Sequence, residues 1–242
     1  MANWSDPRTT AVPRAAVGAR DAAFDAGLRS YMLSVYNYMA SGVLLTGIVA
    51  MLFVNTSFGL AMLANPAIRL VLMLAPLGVV LAMSFGAARM AESTVKTLFW
   101  VYAALMGLSL STILLVYTGG SVAQTFFATA AAFGSLSLYG YTTKRDLAPF
   151  GAFMMMAVFG LIAAMLINMF VRSTGMDLII SAVGVLLFAG LTAYDTQRIK
   201  SGYFAVRGTQ FAGKSAVMGA LTLYLDFINM FLFLLRFMGN RR

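Results

Sequence analysis

Long stretches without a charged residue constrain the fold of this chain most strongly. No Asp, Glu, Lys or Arg occurs from Ser30 to Ile68 or from Thr97 to Thr143. Charged residues make up 10% of the 242 residues, whereas soluble domains carry roughly 25%. So few charges cannot cover a water-facing surface, and lipid must therefore be the main solvent. The apolar runs are continuous and do not alternate with polar residues, which favours helices over a β-barrel.

Charged and turn-forming residues divide the chain into a polar N-terminal tail, residues 1–30, and a transmembrane domain, residues 31–242. The tail is either disordered or a helix on the membrane surface from Val12 to Leu28. Seven spans are predicted after the tail, each bounded by charges or by Asn, Pro or Gly. They cover residues 31–54, 70–88, two segments of 97–143 on either side of a turn at 118–121, 147–171, 178–194 and 215–235. We therefore predict an all-α, polytopic membrane protein.

The positions of Lys and Arg indicate how the chain is oriented. With the N-terminus in the cytoplasm, twelve of these residues fall on the cytoplasmic side and five on the other, as the positive-inside rule predicts. Arg236, Arg241 and Arg242 fit the rule poorly. Either seven crossings put the C-terminus outside, or the last segment is re-entrant and returns inside. The net charge of +9 reflects basic residues scattered between apolar spans, so no nucleic-acid binding is expected.

Two residue types are missing altogether, because the chain has no cysteine and no histidine. Their absence excludes disulfides, thiol nucleophiles, the usual zinc sites and serine–histidine chemistry. No tightly bound cofactor is expected. Any titration near neutral pH would have to come from a carboxylate in an unusual environment.

One such carboxylate is Asp226, in the middle of the last apolar segment. It lies roughly 15–18 Å of helix rise from Lys214 and from Arg236, near the centre of a bilayer. Inserting an acid there costs on the order of 2.5–3.5 kcal/mol, and such residues are usually functional. The alternative is a buried Asp that only hydrogen-bonds neighbouring helices.

A second acid, Asp195, is predicted to end the sixth span, one turn before Arg198. The simple interpretation is an ion pair between these two residues at i,i+3. Consecutive helices usually pack together, so a contact between Asp195 and Asp226 is also plausible, although Asp195 should lie about 10 Å nearer the membrane interface. Two carboxylates in one low-dielectric site cannot both ionise cheaply, so one proton is retained.

When both acids are ionised, the pair could attract a hard cation such as Ca²⁺, which prefers oxygen ligands. Thr222 and Asn229 stand at i−4 and i+3 from Asp226, so one helix face would offer three oxygen-bearing side chains. Arg89, at the end of the second span, is either an interfacial anchor or a latch that pairs with one of the two aspartates in a closed state.

At these residues the chain resembles the Bax inhibitor-1 family, also called the transmembrane Bax inhibitor motif family. The resemblance extends over residues 30–240. The matching stretches are VYNYMASGVLLTG at 35–47, SLYGYTTKRDL at 137–147, FAGLTAYDTQRIK at 188–200 and ALTLYLDFINMFLFLLR at 220–236.

The resemblance implies seven transmembrane helices with the seventh at the centre, in a bacterial inner membrane. It also implies a pH-sensitive Ca²⁺ leak in which Asp195 and Asp226 form the sensing pair and Arg89 is the latch. Bacterial members are linked to membrane-anchored AAA proteases, so a regulatory partner of such a protease, without transport, is the alternative function. The basic tail and a long loop at 201–216 are the segments expected to bind it.

No enzymatic activity is expected. An intramembrane aspartyl protease would also need two membrane acids. However, such proteases have glycines before the second acid, and this chain has Leu223, Tyr224 and Leu225 there.

Overall fold

The structure, a computed structural model, describes the backbone of residues 14–242 and the side chains from Ala26 onward. Within these residues the chain forms eight helices and no β-strand beyond a single bridge between Tyr117 and Arg241. The helices are α1 (Arg14–Val54), α2 (Ser57–Ala64), α3 (Pro66–Gly86), α4 (Glu92–Val116), α5 (Gly119–Thr142), α6 (Ala148–Val171), α7 (Thr174–Val206) and α8 (Ala212–Met238). The predicted all-α class is confirmed.

Polar residues at several helix starts explain why the helices begin where they do. The side chains of Thr56, Asn65, Thr118 and Ser173 accept hydrogen bonds from the first-turn amides of α2, α3, α5 and α7. These caps satisfy backbone donors that have no partner within the helix. The short helix α2, between the first two predicted spans, was not anticipated from the sequence.

Six helices are long and apolar enough to cross a membrane: part of α1 from Ala26, and all of α3, α4, α6, α7 and α8. The remaining long helix, α5, has 24 residues, enough to span at 1.5 Å per residue. Its Gly, Ser, Thr and Gln residues make it less apolar than the other six. The chain is therefore a polytopic helical membrane protein, and the number of seven crossings stays a prediction.

Helix α8 lies at the centre of the bundle. In its most apolar window 67% of residues are buried, against 39% or less in the other five candidate spans. It packs directly against α1, α4, α5 and α7, while α3 packs mainly on α4 and α6 on α7. Asp226 is therefore on the most enclosed helix of the molecule.

The structure corrects the predicted end of the sixth span and the loop that follows it. Helix α7 does not end at Tyr194 but continues to Val206, and α8 starts at Ala212. The expected long loop at 201–216 is therefore mostly helix, and only residues 207–211 connect α7 to α8. Arg198 and Lys200 do not end the helix. Their long side chains can extend from a continuous helix towards water, so the backbone hydrogen bonds of α7 need not stop at the membrane interface.

Helix α8 runs along the whole of α4. The structure therefore does not contain the re-entrant last segment that was the alternative to a full crossing. At its start, the Nζ of Lys214 donates to the carbonyls of Ala88 and Met90, just before α4. Beyond its end, the amides of Thr118 and Arg242 bond the carbonyls of Asn240 and Val116, respectively, where α4 ends. The two ends of α8 thus lie at opposite ends of the bundle.

The predicted tail, residues 1–30, is described only in part. Helix α1 includes residues 14–30 and runs into the first span without interruption. Residues 1–13 lie outside the described part of the chain, and the cytoplasmic location of the tail stays a prediction.

Candidate functional site: a buried aspartate pair

Asp226 lies near the middle of α8 and is 4% exposed. The residues on either side of it in sequence are apolar, and Leu223, Tyr224 and Phe227 are buried in the main core of the bundle. The predicted depth of this acid, between the two ends of a spanning helix, agrees with the structure. Its enclosure by protein is a consequence of the central place of α8.

Asp195 lies inside α7 rather than at its end, and it is 7% exposed. It stands eleven residues before the end of α7, and Asp226 stands fourteen residues after the start of α8. Because the two helices are antiparallel neighbours joined by a short connection, the two acids differ in height by only about 4.5 Å. The sequence-based difference of about 10 Å was wrong because it took the first charges after Asp195 as the end of the helix.

The structure brings the two acids together. The carboxyl groups of Asp195 and Asp226 are within hydrogen-bonding reach of each other. The Oδ2 atom of Asp226 is fully buried and has no hydrogen-bond donor among the described residues. A hydrogen bond between two carboxyl groups requires a proton on one of them, since ionised carboxylates only accept. The contact therefore fits a pair that holds one proton.

Arg198 faces the more accessible side of the pair. Its Nη1 atom lies 3.9 Å from the Oδ1 atom of Asp195, and its own side chain is 70% exposed. The i,i+3 ion pair expected from the sequence is therefore present at long range, together with the contact to Asp226. One acid faces a solvated cation and the other faces only the interior, so the pair is asymmetric.

Helix α7 is fixed to α5 near Asp195 by the close approach of a glycine and by polar contacts before and after the acid. Gly140 of α5 lies directly against the backbone of Ala193, and the hydroxyls of Ser137 and Thr196 are 3.1 Å apart. The Nζ of Lys200 donates to the carbonyl of Tyr141. These contacts bind α5 to α7 at the height of the acid, so the carboxyl group of Asp195 is carried by a supported segment.

Thr222, Asp226 and Asn229 all lie on the continuous helix α8, at the i−4, i and i+3 spacing that was expected. The hydroxyl of Thr222 donates to the carbonyl of Met218, and the amide of Asn229 donates to the carbonyl of Leu225. These bonds use the donor groups of the two side chains and leave their oxygen atoms able to accept. Among the described residues no group of three acids that could hold a metal ion occurs, and the two carboxyl groups of the pair are the ionic ligands available there.

Arg89 lies outside the pair. It is exposed in the turn between α3 and α4 and forms no ion pair with Asp195 or Asp226 among the described contacts. The carbonyls of its two neighbours bind Lys214 in the first turn of α8. Asp226 is twelve residues further along α8, about 18 Å away along the axis. The helix bundle would have to rearrange before Arg89 could reach Asp226.

A second buried polar contact, between Thr46 and Tyr224, was missed from the sequence. Their hydroxyl groups are 2.6 Å apart, and the hydroxyl of Thr46 is also 2.8 Å from the carbonyl of Ala103. The contact ties α1 and α4 to the side of α8 two residues before Asp226. The signal available was a Tyr and a Thr inside otherwise apolar spans, where hydroxyl groups need a partner.

The C-terminal arginines also have an explanation in the structure. Nη1 of Arg236 lies 3.5 Å from Oδ1 of Asp177, and Nη2 of Arg241 lies 4.0 Å from Oδ2. Asp177 is in the first turn of α7, so these ion pairs connect the start of α7 to the end of α8. Part of the positive charge that fitted the orientation rule poorly is balanced in this way.

Comparison with known proteins matches the sequence of this chain to a family. The family described as inhibitor of apoptosis-promoting Bax1 matches residues 28–242. The inner membrane protein YbhL of Escherichia coli is 44% identical over 220 residues, which cover 90% of this chain and 94% of YbhL.

Two further relatives extend the similarity to other bacteria. An uncharacterized protein of Rickettsia prowazekii is 46% identical over 224 residues, covering 93% of this chain and 95% of that protein. An uncharacterized membrane protein of Streptococcus pyogenes is 39% identical over 219 residues, covering 89% and 95%. Together with the apolar helices, the likeness to YbhL supports a multi-pass location in the inner membrane. The match over nearly the whole described chain shows that the protein belongs to the Bax inhibitor-1 family.

Proposed function

We propose that this protein is a pH-sensitive calcium leak of the inner membrane, gated by protonation of the pair formed by Asp195 and Asp226. The observation that carries the proposal is the contact between two buried carboxyl groups on different helices. A single proton lets the two groups attract each other through a hydrogen bond, whereas two negative charges in the same place repel. Loss of the proton therefore favours separation of α7 from α8.

The side of the pair at which protons arrive follows from its asymmetry. Asp195 is next to the exposed guanidinium of Arg198, while Asp226 is enclosed. On the proposed topology, with the N-terminus inside, Arg198 is on the cytoplasmic side. The pair would therefore respond to cytoplasmic pH.

A layer of large apolar side chains on α8 supports the assignment of this structure to a closed state. Phe227, Ile228, Phe231 and Phe233 follow Asp226 along the helix and are all buried. A hydrated cation could not pass such a layer without displacing it, since desolvating an ion among apolar groups is costly. Separation of α7 from α8 is the movement that would open a path beside them.

The ligands at the pair suit transient passage of a divalent cation better than a closed binding site. Two carboxylates offer at most four oxygen atoms, whereas Ca²⁺ takes roughly six to eight oxygen ligands. Water would have to supply the others. Ca²⁺ is thus proposed as the permeant ion and not as a resident one, and no tightly bound cofactor is proposed.

The test is Ca²⁺ flux into proteoliposomes across a range of pH for the wild type, Asp195→Asn and Asp226→Asn. We expect flux in the wild type to rise with pH, because the closed state loses its shared proton. In both variants an amide replaces a carboxyl group, so the pH dependence should largely disappear.

Asp146→Asn is the matched control, since Asp146 is an exposed acid whose Oδ1 accepts from the amide of Ala148. Asn can make the same bond, so its flux should follow the wild type. Equal and pH-independent flux in all four proteins would reject the gating proposal.

Arg89 as a latch is a separate part of this proposal. Its exposed position beside the start of α8 means that any pairing with the acids belongs to a second closed state, different from the one in this structure. If Arg89 holds a closed state, Arg89→Gln should increase flux at low pH. Unchanged flux in Arg89→Gln would leave Arg89 as an interfacial anchor.

The alternative function is that of a regulatory partner of a membrane-anchored AAA protease, without transport. Only one of the two segments expected to bind the protease still supports it. Of the two segments that motivated it, 201–216 is mostly helix rather than a long loop. The basic tail remains as its motivation. Crosslinking from the tail should capture the protease if this alternative is right, and deletion of residues 1–13 should then change proteolysis.

A further inference from the structure

A gap between α1 and α5 opens the bundle towards the lipid. Both helices pack on α8, and their main contacts are with other helices rather than with each other. One cavity of about 830 Å³ lies in this gap, and its lining extends on α1 from Arg29 to Leu44 and on α5 from Phe126 to Tyr141. Each stretch is sixteen residues, so at 1.5 Å per step the groove is about 22 Å long.

The groove has an enclosed apolar floor and exposed apolar walls. Met39, Phe133 and Phe227 on the floor are buried, whereas Leu44 and Leu138 on the walls are 64% and 62% exposed. The groove is therefore open along one side and is not a closed pocket. The groove is longer than the roughly 15 Å of hydrocarbon in one leaflet, so it can hold an extended alkyl chain.

One end of the groove carries a positive charge. The exposed side chain of Arg29 lines it at the end where α5 finishes at Thr142. At that same end the aromatic ring of Tyr141 lies under the Nζ of Lys200, at 4.8 Å. A guanidinium at the polar end of an apolar groove complements a phosphate joined to an alkyl chain.

We infer that the groove between α1 and α5 is a binding site for one membrane phospholipid. Its acyl chain lies along Met39, Phe133 and Phe227, and its phosphate is bound by Arg29. The inference goes beyond the proposed leak function and does not require ion conduction. A bound chain would fill the opening beside Phe227, the residue next to Asp226, and so would seal the bundle from the side at the height of the aspartate pair.

Gly134 gives a direct test because it lines the groove and a Cβ atom added there meets nothing within 4 Å. Gly134→Leu should therefore fill the groove without displacing the helices. Gly160→Leu is the matched control, since a Cβ at Gly160 on α6 also meets nothing within 4 Å but lies away from the groove. Retention of both purified proteins as a single species with wild-type thermal stability would show that they fold.

The experiment reconstitutes the full chain with palmitoyl-oleoyl phosphatidylethanolamine or phosphatidylglycerol that carries a photoreactive acyl chain. Labelled peptides and lipid retained in native mass spectrometry are then measured. We expect labelling on the groove faces of α1 and α5, its loss in Gly134→Leu, and no change in Gly160→Leu. Labelling spread evenly over the outer faces of α3 and α6, or unchanged in Gly134→Leu, would overturn the inference.

Arg29→Gln tests the phosphate contact independently of the groove. Loss of one charge-assisted hydrogen-bonding partner should weaken lipid retention by roughly tenfold for both lipids, because they share the phosphate. Arg69→Gln, at an exposed arginine outside the groove, is the control and should retain lipid like the wild type. Equal loss in both variants would contradict a role for Arg29. These readouts do not involve flux, so a failed gating experiment would leave them unaffected.

Discussion

At the scale of single residues, the buried polar groups of this bundle differ in how completely they are paired. Thr46 and Tyr224 have well-placed partners, whereas Oδ2 of Asp226 has no donor within the part of the chain that the structure describes. Inside a low-dielectric core an unpaired polar atom costs more than a bond gains. The hydroxyl pair therefore stabilises the helix packing, and the carboxyl pair is the group whose protonation state has most effect on its surroundings.

The hydroxyl pair leads to a prediction on stability. The hydroxyl of Thr46 lies within reach of the carbonyls of Gly42 and Ala103 and can donate to either, so Tyr224 donates to Thr46. Thr46→Val should lower the free energy of unfolding by about 1–2 kcal/mol, because it leaves the hydroxyl of Tyr224 buried and unpaired. Tyr224→Phe should cost less, since Thr46 keeps its carbonyl acceptor. Equilibrium unfolding in detergent would measure both, and equal losses would contradict the assigned direction of donation.

The aspartate pair leads to a prediction on pH. On the proposed function, the folded protein shares a proton between Asp195 and Asp226, and the unfolded chain, which exposes both acids to water, releases that proton at neutral pH. The free energy of unfolding should therefore be highest at acid pH and fall as pH rises, by up to about 1.4 kcal/mol per pH unit, over the range in which the unfolded chain has released the proton and the folded chain still holds it. Asp226→Asn should flatten this dependence because one carboxyl group remains. The measurement is unfolding in detergent from acid to alkaline pH, and an unchanged profile in Asp226→Asn would contradict a shared proton.

At the scale of helices, glycine determines how closely neighbours approach. A Cβ atom at Gly140 of α5 would overlap the backbone of Ala193 on α7, and one at Gly184 of α7 would overlap the ring of Phe233. Close approach of backbones is a common way for membrane helices to pack. The segment of α7 that carries Asp195 is held at its depth by such contacts.

Two glycines on the same helix provide a matched test of this packing. Gly140→Ala should cost about 1–3 kcal/mol because the added methyl group forces α5 away from α7. Gly134→Ala should be neutral or stabilising by up to about 1 kcal/mol, since it improves helix propensity in open space. Thermal unfolding of both variants is the measurement. If Gly140→Ala is as stable as Gly134→Ala, the close contact of α5 with α7 is not what holds Asp195.

At the scale of the whole molecule, the order of the helices decides which ends lie together. The connection between α7 and α8 and that between α3 and α4 lie at one end, where Lys214 binds the carbonyls before α4. The C-terminal residues, the connection between α4 and α5 and the start of α7 lie at the other. If the seven long helices all span the bilayer, the number of crossings is odd. With the N-terminus inside, the C-terminus then lies outside.

Introduced cysteines can test that topology cleanly, because the native chain has none. Lys144→Cys and Arg242→Cys change exposed residues at opposite ends of the bundle. We expect an impermeant thiol reagent to label position 242 from the periplasmic side of the membrane and position 144 from the cytoplasmic side. Labelling of both positions from the same side would contradict seven crossings.

The ion pairs at the C-terminal end should contribute little to stability. Asp177 and Arg236 are 35% and 38% exposed, so solvent and salt screen their attraction. Asp177→Asn should lower the free energy of unfolding by less than about 1 kcal/mol, and by less still at high salt. Comparison with Asp146→Asn at low and high salt checks this, and a large salt-independent loss would show that the contact is more deeply buried than its exposure indicates.

How far the sequence predicts the site depends on the residue. The depth of Asp226 could be read from its distance to the nearest charges, because its helix does begin and end near them. The same rule failed for Asp195, where α7 continues past Arg198 and Lys200 for more than a turn. Charged side chains on a long helix can extend into the polar zone, so they mark where lipid ends and not where the helix ends.

The sequence by itself determined the solvent, the helical class and the presence of a mid-membrane acid, since these depend on composition and on the spacing of charges along one chain. A central α8 and a pair of Asp195 with Asp226 were implied by the family resemblance and not by the residues alone. The tertiary structure decided both, and it alone decided that α1 and α5 leave a groove between them. Those features depend on which faces of different helices pack together. The packing of these faces is determined by many contacts between different helices, such as that of Gly140 with Ala193. Such contacts cannot be predicted from the sequence of one span.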